Sequence, residues 1–211
     1  MNTWVELRLE KLLFGTTELA EVHDEMSTAA YRDLENLPER AIGELFDGRL
    51  HALPRPSAPH GYTHSAVGGK LFNPFHNGIG GPGGWWIIDE PEVHFSLDRD
   101  VTVPDLAGWR REQMPKFPTS HKFEVVPDWI CEILSPSTRS IDREIKMPLY
   151  ARYGVSWLWL IEPIEHVLEA YRLEAGEWLG VGCYAGTAQV AISPFEAVPF
   201  DLERLWVPTG A

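Results

Sequence analysis

The sequence predicts a mixed α/β (α+β) fold, a central sheet flanked by helices with an antiparallel hairpin near its C-terminal end. Three observations carry this. Short apolar runs of strand length recur at Trp85–Ile88, Val93–Leu97, Val101–Val103, Trp129–Leu134 and Val155–Ile161. One stretch with helical spacing, Thr138 to Tyr153, stands between the last two. Val167–Leu173 and Trp178–Tyr184 then flank Glu174-Ala175-Gly176, a hairpin pattern. Strands, a helix, a strand and a hairpin make a sheet with helices packed on it.

Taken in order, residues 1–26 have the spacing of an amphipathic helix, with Trp4, Leu7, Leu9, Leu12 and Leu13 as its apolar positions. They form an extension ahead of a single domain over residues 27–211, and Met26 is an alternative start of the chain. Ser27 or Thr28 caps a second short helix through Leu34. Asp47-Gly48 is a hairpin dipeptide between Glu44-Leu45-Phe46 and Arg49-Leu50-His51. Pro54 to Pro59 reads as a rigid linker. His60 to Phe75 has helical spacing, with Ala66, Val67, Leu71 and Phe72 facing inward. Asn77 to Gly84 is glycine-rich but lacks the Lys-Ser/Thr of a phosphate loop, so it reads as a flexible turn or lid. Pro104 fixes φ and removes a ladder donor, which ends or bends the preceding strand. Gly154 stops the helix begun at Thr138, and Pro148 makes that helix kink or restart beside Lys146.

The 211 residues suit one domain with an appendage, and a hydrophobic share of 44% is ample for a core. The balance of 18 basic against 31 acidic side chains leaves a net charge of −13. Such a surface opposes nucleic-acid binding, although bound cations reverse local charge. Cys131, inside an apolar run, reads as a buried free thiol, and with Cys183 the only other cysteine the chain fits a reducing cytoplasm. No apolar run approaches the roughly 20 residues of a membrane span, and Glu6 and Glu10 stand where a secretory signal would be apolar. No membrane partner is expected.

Two carboxylates and a lysine carry the candidate chemistry. Glu132 interrupts Trp129-Ile130-Cys131-Ile133-Leu134, and alternation places it on one face with Ile130 and Leu134. A glutamate there is costly unless it is paired or holds a metal. Asp105 follows Pro104 at a strand end, where a carboxylate reaches a cleft or caps a turn. Lys146 lies four residues after Asp142, the spacing of a surface i,i+4 pair. Glu44 precedes the Asp47-Gly48 turn as a further cation ligand or a solvent-facing acid. His60 and His64 have zinc spacing, but Gly61 replaces the glutamate such a motif needs and no third ligand is identifiable, so ordinary polar helix positions are expected.

Taken together, Glu44-Leu45-Phe46-Asp47-Gly48, His60, Val103-Pro104-Asp105, Pro127 to Arg139, Asp142, Lys146, Tyr150, Gly154-Val155 and Trp159-Leu160-Ile161 resemble the Uma family of proposed restriction endonucleases, within the PD-(D/E)XK nuclease superfamily. The resemblance covers roughly residues 40 to 173. It implies a restriction-endonuclease-like fold and Mg²⁺- or Mn²⁺-dependent cleavage of phosphodiester bonds in DNA. It matches Asp105 and Glu132 to the two acids, as metal ligands and catalytic residues. The superfamily's lysine belongs where this chain has Leu134, so Lys146 substitutes from the helix. Glu44 completes the metal's shell or serves as a base. Superfamily members that cut both strands are often homodimers. The competing readings are a catalytically inactive interaction or regulatory module on the same fold, favoured by Leu134 and the acidic balance, and a hydrolase of small phosphoesters.

Overall fold

The computed structural model describes residues 31–37, 42–53, 55–96 and 99–208. The helix expected over residues 1–26 lies outside these, and of the second expected helix the described residues 31–35 are helical. β1 (Ile42–Phe46) and β2 (Arg49–Leu53) pair antiparallel, with Phe46 opposite Arg49. Asp47 and Gly48 both take positive φ, 50° and 70°, the turn geometry whose twist matches the strands it joins.

Ser57 caps α1 (Ala58–Leu71) by accepting the His60 N–H. Ala58 and Pro59 therefore belong to the helix rather than to a linker. Proline fits the first turn because its missing N–H would have no partner there. The helix widens into a π-helical segment, Phe72–Asn77. Its buried stripe is Val67, Leu71 and Phe75. Phe72, expected inside, is 43% exposed and stacks on His76, because it stands about 100° around the helix from Leu71.

The remaining strands are β3 (Trp85–Asp89), β4 (Glu92–Ser96), β5 (Asp100–Thr102), β6 (Leu106–Arg110), β7 (Lys122–Phe123), β8 (Trp129–Ile133), β9 (Trp157–Glu162), β10 (Val167–Glu174), β11 (Glu177–Ala185), β12 (Gln189–Val190) and β13 (Phe200–Asp201). Between β8 and β9 runs α2, made of Arg139–Ile141, the π-helical Asp142–Lys146 and Met147–Tyr153. Gly154 ends it at φ 81°.

Two mixed sheets form where one was expected. The larger has the order β11-β10-β9-β8-β6-β3, and the smaller β2-β1-β5-β4-β7. In the larger sheet only β8 and β9 run parallel, and α2 supplies the crossover that parallel neighbours need. The predicted hairpin, β10–β11, forms an edge of this sheet. The sequence does not announce β6, whose segment follows a proline and contains Gly108. That glycine is chosen by packing: a Cβ there would lie 3.1 Å from the Trp129 ring and 3.3 Å from Ile87 and Trp85.

Alternation along β8 sorts the core into two. Trp129, Cys131 and Ile133 meet Val67, Leu71 and Phe75 of α1 and the C-terminal Phe195, Phe200 and Leu202. Edge-to-face ring contacts join Trp129 to Trp159 and Phe195 at 5.2 and 4.9 Å, each adding about 0.5–1.5 kcal/mol beyond burial. On the opposite face Ile130 and Leu134 pack with Leu149 and Tyr150 of α2 and with Phe46, Val93 and Phe123 of the smaller sheet. Glu132 is 2% exposed and shares this second face.

Candidate active site

β5 stops at Thr102 and β6 starts at Leu106, so Pro104 separates two strands and Asp105 heads the second. Leu106 pairs with Cys131. One step further, Asp105 lies beside the Glu132–Ile133 peptide. Asp105 Oδ2 accepts the Ile133 N–H at 2.7 Å, and Oδ1 lies 3.1 Å from His60 Nε2. The two acids are thus set side by side on neighbouring strands.

Lys146 arrives from α2. Its Nζ lies 3.0 Å from Glu44 Oε1, 3.4 Å from Asp142 Oδ1 and 3.3 Å from both Glu132 oxygens. The Tyr150 hydroxyl donates to Glu132 Oε1. Asp142, Lys146 and Tyr150 occupy i, i+4 and i+8, one face of the helix. The expected irregularity beside Lys146 is the π-helical segment, in which the Met147 N–H reaches Asp142 O, five residues back. Pro148 follows at once; it has no N–H to continue an α-helical ladder, and the widened turn brings the chain into the next segment.

Burial is nearly complete: Glu44 is 0%, Glu132 2%, Lys146 3% and Asp142 4% exposed. Desolvation raises Glu132 well above the ordinary carboxylate range, and Asp142, Asp105 and Glu44 push the same way against Lys146. Glu44 and Asp142 are also raised, burial again outweighing the lysine. For Lys146 burial works against the charge, but Glu132, Glu44, Tyr150 and Asp142 together hold it well above its ordinary value. His60 is raised for a like reason: burial works against its charge, but Asp105, Asp142 and Glu90 together outweigh it.

A cleft opens on this group, lined by Arg55, His60, Asp105, Glu132, Asp142 and Lys146 among others. Its carboxylate oxygens are the hard donors that Mg²⁺ or Mn²⁺ prefers. Among the described residues no three ligating side chains form a cage for an ion. Mg²⁺ does not need one, since it is commonly held by one or two carboxylates, with waters and substrate phosphate filling its shell. Asp105 and Glu132 fit that demand. Glu44 is not on the cleft wall; it lies behind Lys146, with Oε1 taken by Lys146 and the Val103 N–H at 2.8 Å, and Oε2 buried without a partner.

All four sequence-derived candidates therefore come into one neighbourhood. The Asp142–Lys146 pair, read as a surface pair, is buried. The two histidines face different carboxylates: His60 meets Asp105, and His64 meets Asp89. Three residues outside the candidate set join it. All three stand among the residues that carry the resemblance; Asp142 and Tyr150 also carry a signal in their helical spacing from Lys146, whereas the meeting of His60 with Asp105 joins residues distant in sequence.

A search of curated proteins matches none of them. Among solved structures, a protein from Anabaena variabilis described as a "putative nuclease belonging to DUF820" is similar to this chain at 20% identity. The match covers 83% of this chain and 96% of that one, with a TM-score of 0.66, and likeness at that identity establishes the fold alone. The family model described as "Uma2: Putative restriction endonuclease" matches residues 28–204, which include every residue of the acid and lysine cluster, and the chain belongs to that family.

Proposed function

We propose that the chain is a metal-dependent endonuclease that hydrolyses phosphodiester bonds in DNA. The observation that carries this is the meeting of Asp105, Glu132 and the buried Lys146 ammonium at one cleft. Asp105 and Glu132 would hold Mg²⁺ or Mn²⁺, which when bound polarises a phosphate oxygen and lowers the pKa of a water. Asp105 is held by donors to both of its oxygens. Lys146 stands at the cleft wall, where its charge stabilises the extra negative charge gathered as water oxygen bonds to phosphorus and a P–O ester bond breaks. Glu44 and Asp142 serve this chemistry by holding Lys146 in place. Tyr150 anchors one oxygen of Glu132 and so limits the directions it can turn.

The acidic balance makes a divalent cation part of DNA binding as well as of cleavage. One site cuts one strand, so a homodimer is the proposed form for cutting both. Unpaired Cys131 and Cys183 support a cytoplasmic setting, and among the described residues no helix is long and apolar enough to cross a membrane. Nicking of plasmid DNA that requires Mg²⁺ or Mn²⁺, and that Asp105→Asn abolishes without loss of folding, is the expected result. Absence of cleavage of every DNA and RNA form, with metal demonstrably bound, would overturn the reading.

A non-catalytic module is the second reading. It is favoured by Leu134 at the superfamily's lysine position and by the engagement of Glu44, Glu132 and Asp142 with Lys146 inside the protein. Calorimetry separates the two: no heat of Mg²⁺ binding, and no change on Glu132→Gln, selects the module.

A further inference from the structure

We propose that His60 is the positioning residue that sets Asp105 for cation binding. The proposal rests on the nuclease reading, which gives Asp105 a cation to hold. His60 is 8% exposed, sits in the first turn of α1 and lines the cleft. Its Nε2 lies 3.1 Å from Asp105 Oδ1, while Ile133 N–H occupies Oδ2 at 2.7 Å. With a donor on each oxygen the carboxylate cannot swing about its last torsion, and each oxygen keeps lone-pair capacity for a cation. The Ile133 donor is backbone and fixed by the sheet. The His60 donor is therefore the one that a side-chain change can remove.

The imidazole is suited to this work. Its Nε2 meets Asp105 alone among the described residues, at 3.1 Å, and Nδ1 is buried without a partner. The ring thus donates through Nε2 and is not shared with a competing acceptor. The Ser57 cap and Pro59 fix the turn that carries it. His64, one turn on, makes a contrast. Its carboxylate partner Asp89 is 73% exposed and lies off the cleft wall, where water competes for the same oxygens.

The test is calorimetric titration of the full chain with Mg²⁺ and Mn²⁺, for wild type, His60→Ala, His60→Asn and His60→Gln. A glutamine amide nitrogen reaches about as far as Nε2, whereas an asparagine amide overlaps Nδ1. Alanine and asparagine should weaken cation binding about 10- to 100-fold, as loss of a ligand-orienting partner commonly does, and glutamine should recover most of it. Thermal melts in EDTA establish which variants fold; should alanine fail, the asparagine–glutamine comparison decides alone. Unchanged binding in the alanine variant, or glutamine binding no better than asparagine, overturns the proposal and leaves the nuclease reading standing. A wild-type chain that binds neither cation overturns both.

Discussion

Lys146 is an ammonium group almost without water, 3% exposed and ringed by three carboxylates and a phenol. Removing one partner of a buried ion group leaves the others uncompensated, at about 3–5 kcal/mol. Lys146→Met should therefore lower unfolding free energy by that order at neutral pH, measured by urea denaturation. The sign of its pH dependence follows from the carboxylates. Glu44, Glu132 and Asp142 already sit above their ordinary values of 4.5, 4.5 and 3.8, and loss of the lysine raises them further. Between the ordinary and raised values the native state binds more protons than the unfolded chain, so stability rises as pH falls. The deficit of the variant should narrow from pH 7 towards pH 5; a deficit that stays constant instead would mean that the carboxylates are already neutral in the wild type.

At the scale of elements, the π-helical segment of α2 connects local sequence to site geometry. Pro148→Ala restores an N–H donor and permits a regular ladder through Lys146. Closing the wide turn rotates Asp142 relative to Lys146 by about one residue's 100°. The variant should lose metal-dependent nicking and melt lower than wild type, because Asp142 leaves the buried ammonium; hydrogen exchange should show a new protected amide at position 148. In β6, Gly108→Val drives methyl groups into the Trp129 and Trp85 rings and should cost about 1–3 kcal/mol, read as a lowered urea midpoint. Much of this level is legible in the sequence. A lone glutamate in an apolar run marks β8, and Asp47-Gly48 marks the first hairpin. β6 is not, because its glycine answers to rings brought in from β3 and β8. The smaller sheet is not either: its pairing of Leu45 with Val101 joins segments that share no local signal. The same division holds for the candidate site. Asp105 and Glu132 stand out by their neighbours, whereas an i,i+4 Asp142–Lys146 pair reads alike whether water or a sheet covers it.

For the molecule as a whole, a net charge of −13 sets the terms of any meeting with a polyanion. In EDTA the chain should show no measurable affinity for duplex DNA at physiological salt. Ca²⁺, an oxygen-seeking cation, should bring binding without cleavage, and that binding should fall steeply with added salt. Fluorescence anisotropy of a labelled duplex reads all three. The placement of the ion cluster has one more consequence. Glu44 belongs to the smaller sheet, Glu132 to the larger, and Lys146 to the helix between them. A single ammonium thus rivets three elements, and the two sheets should open in one cooperative event. With methionine in its place, the smaller sheet keeps its apolar contacts and the hold of Arg152 and Tyr153 on Asp100, but loses its ionic tie through the helix to β8. It becomes a separate unit of local unfolding, its amides exchanging well ahead of those in β8 and β9, and a single transition resolves into two.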